Sequence, residues 1–199
     1  MFNIVERLFN KNRMNVEFIL AYQFPDTVRN EVASAYPSLT EQDLDHVESG
    51  LREFFLVCAE NRLRWCTMPS KVVDEAWHGF ILDTHQYQQF CQNAFGQFLH
   101  HTPSQAMKNP KKAQEGVRRS WIAACKIEDI NPKLGIKIPL LYSLDKALNI
   151  PDGYYYVPNC EMPAYADVPN YYCAGHITNL DSAGGGCAGG GCGGGGCGC

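Results

Sequence analysis

The chain has 199 residues, a hydrophobic fraction of 45% and a formal net charge of −4. That length supports one domain with a substantial core, and the composition excludes a chain that is disordered throughout. The acidic balance argues against a general binder of nucleic acid or anionic membranes, because such proteins are normally basic. The sequence has no apolar run of about 18 residues and no secretory signal at its start. We therefore expect a cytoplasmic protein that binds neither nucleic acid nor membrane.

Four zones follow one another along the chain. Residues 1–24 form an amphipathic lead-in, residues 25–150 a helical domain, residues 151–182 an arm rich in proline and tyrosine, and residues 183–199 a tail of glycine, cysteine and alanine. The tail has almost no side chains to bury and the largest backbone entropy to lose, so we expect it to be disordered. The arm is predicted to be irregular and to pack its aromatic rings on the helical body.

The helical domain is predicted to be all-α, a compact bundle of four to six helices. The first helix lies between Pro25 and Pro37, because proline is compatible with a helix start and ends a helix elsewhere. Thr40 and Asp43 form a capping box for the second helix, in which each side chain satisfies a backbone amide of the other residue. No segment alternates convincingly with a period of two residues, so little β-structure is expected.

The second half of the helical domain has similar start and stop signals. Ser70 is the N-cap of a helix that either continues or restarts with Asp83 or Thr84 as a new cap, and Gly96 ends it. A further helix covers residues 110–127, and a short one follows Pro139. Four apolar residues of the helix at 110–127 are predicted to face the core: Val117, Trp121, Ile122 and Cys125.

Cysteine is abundant, with ten residues in the chain. Thiols stay reduced in the cytoplasm, so these cysteines need a role other than disulfide formation. Cys58, Cys66, Cys91 and Cys125 lie among apolar residues. A free cysteine packs as a small hydrophobic side chain, and burial is therefore expected for these four.

Four of the six histidines lie close together in the sequence, next to Asp74. On an unbroken helix, His78 and His85 would lie about 40° and about 20° around the axis from Asp74, so the three would share one polar stripe. If the chain reverses after Gly96, the following pair of histidines returns to that stripe. Imidazoles beside a carboxylate suit zinc or another divalent transition metal. The predicted metal ligands are Asp74, His78, His85, His100 and His101.

The spacing of these residues leaves three interpretations open. There is no HExxH motif, and His78 and His85 differ by about 10 Å in helical rise, which is too far for both to bind one ion. A site would use Asp74 with His78, or His85 alone, and would add residues from the loop that holds His100 and His101. A packing role, in which the histidines only hydrogen-bond neighbouring elements, ranks ahead of metal binding. General acid–base catalysis ranks behind it.

The tail offers a separate and weaker metal site. Its four cysteines are Cys187, Cys192, Cys197 and Cys199. Their thiolates could bind Zn²⁺ or Cu(I), with Cys173 and His176 as additional ligands. Flexible glycine spacers, however, raise the entropy cost of closing the chelate. Repeated Gly-Cys units also resemble the cores of thiazole-modified peptide antibiotics, and a low-complexity extension without a ligand is the favoured interpretation.

A longer pattern of residues resembles that of a known family. Its parts are Asp74-x-x-Trp77-His78, then Thr84-x-x-Tyr87-x-x-Phe90-Cys91, then Phe95-Gly96-x-Phe98-x-His100-His101-x-Pro103. This pattern resembles the glycine-rich domain-containing protein-like family over about residues 28 to 126, and the glycine-rich tail agrees with that name. The resemblance implies a helical domain whose Trp-His and His-His elements belong together. It implies no reaction and identifies no metal.

Three functional hypotheses follow from the sequence. The first is a non-enzymatic binding or interaction module of the cytoplasm, with or without a His-based divalent metal site, whose partner is another protein. The second is a metal-dependent enzyme that uses His78 with His100 or His101. The third is a precursor whose Gly/Cys tail is modified after translation. The oligomeric state, the ligand and the biological process are left open.

Overall fold

The structure of the chain is a computed structural model, and it describes residues 14–102, 110–133, 137–158, 171–174 and 177. These residues form seven helices and one pair of short strands, which confirms the prediction of an all-α bundle. The helices are α1 (Val16–Ala21), α2 (Asp26–Ala35), α3 (Glu41–Glu60), α4 (Lys71–Leu82), α5 (Thr84–Phe95), α6 (Pro110–Ile127) and α7 (Leu140–Ala147). The strands are β1 (Tyr155–Val157) and β2 (Tyr171–Cys173).

Side chains at the helix ends explain where the helices begin and stop. Thr40 accepts a hydrogen bond from the backbone amide of Asp43, and the Asp43 carboxylate accepts one from the amide of Thr40, so the predicted capping box begins α3. The Ser70 hydroxyl accepts a hydrogen bond from the backbone amide of Val73 and so caps α4. Asp83 caps α5, and Gly96 ends it with a φ of 71°, a left-handed conformation that suits glycine. The chain therefore restarts a helix at Asp83.

A cluster of aromatic rings holds α3, α4 and α5 together. The rings of Phe55 on α3 and Phe90 on α5 lie 4.7 Å apart between centroids, and Phe80 on α4 contacts both. All three side chains are fully buried. Tyr22, just after α1, stacks its edge on Phe90 at 4.8 Å. Rings in such tilted and edge-on arrangements attract one another beyond their contribution from burial, so this cluster fixes the mutual positions of the helices.

The buried face of α6 differs from the prediction at one residue. Trp121 and Cys125 are fully buried, as the helical spacing indicates, and Val117 packs partly against the core. Ile122 was expected to face inward but is 42% exposed, so that prediction is wrong. Ile122 lies about 100° around the helix from Trp121, and the core covers only the side on which Trp121 lies.

Helices α2 and α4 approach each other closely at Gly79. A methyl group at this position would lie 2.7 Å from the carbonyl oxygen of Thr27 and 2.8 Å from Cβ of Glu31. A larger residue would therefore push α2 away from α4. Glycine at position 79 fixes this contact one residue after His78, on the helix that carries two of the predicted metal ligands.

The carboxylate of Asp145 on α7 holds the N-terminus of α4. It is 1% exposed. Its two oxygens accept hydrogen bonds from the Ser70 hydroxyl and from the backbone amides of Lys71 and Val72, and also from the amide of Tyr154. The first amides of a helix have no partner within the helix, and a carboxylate is also favoured there by the helix dipole. Asp145 thus connects α7, the start of α4 and the segment before β1.

A second buried acid, Glu53 on α3, holds the N-terminus of α7. One of its oxygens accepts the backbone amide of Leu141 at 3.2 Å, and the other has no hydrogen-bond partner. Glu128, which accepts the amide of Leu140 and pairs with Lys137, approaches the same helix end. Burial first, and then the negative charge of Glu128, raises the pKa of Glu53 to about 8. At neutral pH the Glu53 side chain is therefore mostly protonated.

The described part of the arm packs on the helical body. β1 and β2 pair in parallel, with Tyr155 opposite Tyr171 and Val157 opposite Cys173. Tyr156 lies 4.9 Å from Tyr142 of α7, ring to ring, and Val157 is fully buried. The predicted domain boundaries stay predictions, and the tail at 183–199 lies outside the described residues.

The cysteines of the body are mostly buried thiols. Cys58, Cys91 and Cys125 are buried and free, whereas Cys66 is partly exposed. Burial raises the pKa of Cys125 to about 12 and that of Cys58 well above its usual range, so both stay protonated and unreactive. Cys173 is disulfide-bonded, and the expectation that the thiols stay reduced is wrong for this residue. Among the helices that the structure describes, none is long and apolar enough to cross a membrane.

The role of Asp145 can be tested by removing its charge. We expect Asp145→Asn to lower the free energy of unfolding by about 2–4 kcal/mol, because the amide that replaces one oxygen cannot accept the buried hydrogen bonds. Urea denaturation measures this change. The matched control is Asp152→Asn, since Asp152 is mostly exposed and pairs with Lys71 at the surface. The loss in this variant should stay within about 1 kcal/mol. Equal losses in the two variants would contradict the role of Asp145.

The pKa of Glu53 makes stability depend on pH. Because the folded pKa is raised to about 8 from 4.5, the folded state keeps a proton that the unfolded state releases. The stabilising contribution is complete below pH 4.5 and is lost as the pH rises through about 8. Glu53→Gln, which resembles the protonated acid, should remove a decline on the order of 5 kcal/mol across this window.

Denaturation curves measured between pH 4.5 and pH 8.5 would show the change in slope. Glu60→Gln is the control, because Glu60 lies on the same helix but its side chain is exposed and pairs with Lys126. It should leave the wild-type slope unchanged. A Glu53→Gln variant whose stability still declines like the wild type would disprove the assignment.

Candidate metal site

Helix α4 supplies two neighbouring side chains of the site, Asp74 and His78. They are four residues apart, so they lie on the same face, one turn above the other. Nε2 of His78 lies 3.8 Å from Oδ2 of Asp74. The N-terminus of α4 is held by Ser70 and Asp145, as described above, and Asp74 therefore sits on a fixed first turn.

The third member, His101, reaches α4 from a distant part of the sequence. The chain reverses after Gly96, and Nε2 of His101 then lies 3.1 Å from Oδ1 of Asp74. The rings of His78 and His101 have centroids 4.8 Å apart. One ligand atom from each of Asp74, His78 and His101 lies within 4.8 Å of the other two. This trio is the group of possible metal ligands found among the described residues.

A hydrogen-bonded pair of aromatic residues holds the segment that carries His101. The Tyr87 hydroxyl donates to the carbonyl oxygen of Leu99 at 2.6 Å and accepts from Nε1 of Trp77 at 3.1 Å. Tyr87 and Trp77 are both buried. The Trp77 ring also packs edge-on against His101, with centroids 4.6 Å apart. The returning segment is therefore attached to α4 and α5 two residues before His101.

Solvent reaches one side of the trio. The side chain of His101 is 18% exposed, while those of Asp74 and His78 are 35% and 41% exposed. His101 thus forms the inner wall, against Trp77, and His78 forms the outer rim. An ion bound here would keep at least one side accessible to water or to another molecule.

His85 lies outside this trio. Its side chain is exposed, and its Nε2 contacts the amide nitrogen of Gln89 at 3.3 Å. The shared stripe with Asp74 required one continuous helix, but α4 ends at Leu82 and α5 restarts at Asp83, so the helical register is lost between them.

His100 also lies outside the trio, although it is adjacent to His101. Its side chain is exposed, and its ring lies 5.0 Å from that of Phe98. The alternative site built on His100 is therefore not assembled. The tail cysteines and His176 lie outside the described residues, and Cys173 forms a disulfide in place of a free thiolate.

Glu75 is a neighbour of the site that was not among the predicted ligands. Its Oε2 lies 3.5 Å from Nδ1 of His78, the ring nitrogen that does not face Asp74. The sequence contained a signal for this contact, because Glu75 precedes His78 by three residues and such pairs meet on a helix surface.

Negative charge is concentrated around the start of α4. Burial raises the pKa of Tyr36 to about 12, and the charges of Asp152, Asp145, Glu75 and Asp74 contribute in that order. Tyr36 lies directly after α2. Because its pKa is raised, its hydroxyl stays protonated at neutral pH. The carboxylates make this region attractive to a cation.

The donor set of the trio is two imidazole nitrogens and one carboxylate oxygen. This is the type of set that zinc and other divalent transition metals use. Without an ion, the short distance between His101 and Asp74 corresponds to a hydrogen bond. The trio can therefore either bind a metal or fasten the His101 segment to α4 by hydrogen bonding alone.

The fold and the site define a helical domain with a partly exposed His–His–Asp group. A family model described as UCP032817-like matches residues 14–177, and the chain belongs to this family. The resemblance to the glycine-rich domain-containing protein-like family is therefore wrong. The match covers the described helices and strands but not the glycine-rich tail, which had supported the other name. Neither a curated protein nor a solved structure matches the chain.

The attachment of the His101 segment can be tested at Tyr87. We expect Tyr87→Phe to lower the free energy of unfolding by about 1–3 kcal/mol, because the Trp77 Nε1–H and the Leu99 carbonyl lose a buried partner together. Thermal or urea unfolding measures this loss. Tyr155→Phe is the control, since that hydroxyl is partly buried and donates to the carbonyl oxygen of Ile150, and its effect should be smaller. An equally small effect of Tyr87→Phe would contradict the proposed attachment.

Proposed function

We propose that the chain is a divalent-metal-binding helical domain in which Asp74, His78 and His101 hold zinc or a similar transition metal ion. The observation that carries this proposal is the convergence of the three side chains from two separate segments, with ligand atoms within 4.8 Å of one another.

The distances support a site whose ligand atoms already lie close together. Ligand atoms around a tetrahedral ion at about 2.0 Å from each are about 3.3 Å apart. The separations are 3.1 Å from Nε2 of His101 to Oδ1 of Asp74 and 3.8 Å from Nε2 of His78 to Oδ2 of the same carboxylate. Taken one ligand atom per residue, the three side chains lie within 4.8 Å of one another, which is near the spacing that an ion requires.

In this function the ion connects two parts of the fold. Asp74 and His78 belong to α4, and His101 belongs to the segment after α5. A bound ion would fasten that segment to α4 more strongly than the hydrogen bond alone. We therefore assign the domain to binding and interaction, with a protein as the expected partner.

A metal-dependent enzyme is the second candidate function. Structural zinc sites usually have four protein ligands, whereas catalytic sites have three and keep a position for water. The described residues supply three ligands, and the outer side of the trio is exposed to solvent. Such an enzyme would use His78 with His101, and it would not use His100.

The cytoplasm is the proposed location. Four of the five described cysteines are free, as expected where thiols are kept reduced. The disulfide at Cys173 is the observation against this location. The modified-peptide hypothesis concerns the tail and stays a prediction.

Metal titration of purified full-length protein tests the site. We expect one Zn²⁺ or Co²⁺ per chain and a higher unfolding temperature with metal, because an ion that binds the folded state stabilises it. His78→Ala and His101→Ala should each weaken binding by more than about 100-fold, since direct ligands matter more than their supporting residues. All proteins should carry serine at the four tail cysteines, so that tail thiolates do not contribute.

Two histidines provide matched controls. His85→Ala and His100→Ala remove the same side chain from exposed positions outside the trio, and both should bind metal like the wild type. A cobalt spectrum without a thiolate charge-transfer band would agree with nitrogen and oxygen ligands. Equal loss in all four histidine variants, or no binding by the wild type, would disprove the site.

A further inference from the structure

The two nitrogens of the His78 ring face different carboxylates. Nε2 points toward Asp74, which lies four residues earlier on α4, and Nδ1 points toward Glu75, three residues earlier. On a helix these positions lie about 40° to one side of His78 and about 60° to the other. The imidazole is therefore placed between two acids, and each nitrogen has a separate partner.

Only one of these two partners lies within hydrogen-bonding distance. Nδ1 of His78 and Oε2 of Glu75 are 3.5 Å apart, whereas Nε2 and Oδ2 of Asp74 are separated by 3.8 Å. The other oxygen of Asp74 already forms a hydrogen bond with His101. The proton of a neutral His78 ring is therefore best placed on Nδ1.

We propose that Glu75 is a positioning residue that accepts the Nδ1–H of His78 and so keeps the Nε2 lone pair free for a metal ion, an inference that rests on the proposed function. A neutral imidazole has one protonated and one unprotonated nitrogen, and the hydrogen bond at one nitrogen decides which is which. In metal sites a carboxylate often has this role, because it fixes the ring and increases its basicity.

Glu75 acts through His78 and does not bind the ion. Its carboxylate lies at Nδ1, whereas Asp74 faces Nε2 of the same ring, and Glu75 does not belong to the group of residues whose ligand atoms lie within 4.8 Å of one another. Loss of Glu75 would leave the ring free to move its proton to Nε2. The N–H would then point toward Asp74 and would have to be displaced before an ion could bind.

The proton position on His78 can be measured directly in the metal-free protein. Nitrogen-15 NMR of the histidine rings, at a pH where they are neutral, distinguishes the two tautomers. We expect Nδ1–H at His78 in the wild type and a shift toward Nε2–H in Glu75→Ala. His85, which is exposed on the next helix, serves as the control in the same spectra and should not change. A wild-type His78 that carries its proton on Nε2 would overturn the proposal.

Metal affinity gives the second readout. Glu75→Ala should weaken Zn²⁺ binding by about 10- to 100-fold, the range typical of supporting residues, and should keep one ion per chain. Glu75→Gln, which retains an acceptor oxygen without the charge, should lie between Glu75→Ala and the wild type. Unchanged affinity in Glu75→Ala would overturn the positioning role, and a loss as complete as in His78→Ala would make Glu75 a ligand instead.

The two measurements separate this inference from the proposed function. If the wild type binds no metal but His78 carries its proton on Nδ1, the metal site fails and the hydrogen bond to Glu75 stands. If the wild type binds metal and the tautomer does not respond to Glu75→Ala, the metal site stands and the role of Glu75 fails.

Discussion

The fold and the candidate site both depend on the buried carboxylate of Asp145. It accepts hydrogen bonds from Ser70, Lys71 and Val72, and therefore determines where α4 begins and in which direction it runs. Asp74 lies in the first turn of that helix. A helix whose first amides were capped only by solvent would fray there, and Asp74 would lose a fixed position. The geometry of the trio thus depends on a residue of α7, about 70 residues away in the sequence.

Local chemistry in the sequence was sufficient to predict most helix boundaries. The capping box of Thr40, the N-caps Ser70 and Asp83 and the left-handed Gly96 each act within four residues, so their effect can be read from the sequence alone. The positions of Asp145 and Glu53 could not be read in this way. Their partners come from other helices, and an acidic residue with an apolar environment has no local signature that separates it from an exposed one.

The histidines show the same division between local and long-range information. The restart at Asp83 is a local event. Its consequence for His85 depends on whether α4 and α5 share one helical register, and the sequence spacing of Asp74, His78 and His85 is compatible with both possibilities. His100 and His101 are identical in type and adjacent in sequence. Two contacts decide that His101 faces α4: the hydrogen bond between Tyr87 and the Leu99 carbonyl, and the packing of the Trp77 ring on the His101 ring.

The charges around α4 explain how a cation could bind beside the first turns of a helix. The amides at a helix N-terminus carry partial positive charge, which disfavours a nearby cation. Three carboxylates surround this end: Asp145 satisfies the amides, Asp74 faces the two imidazoles, and Glu75 lies behind His78. With a divalent ion, the two acids nearest the site would balance the charge. With fewer acids the attraction for the ion would be weaker, and without an ion the exposed side of the site keeps these carboxylates hydrated.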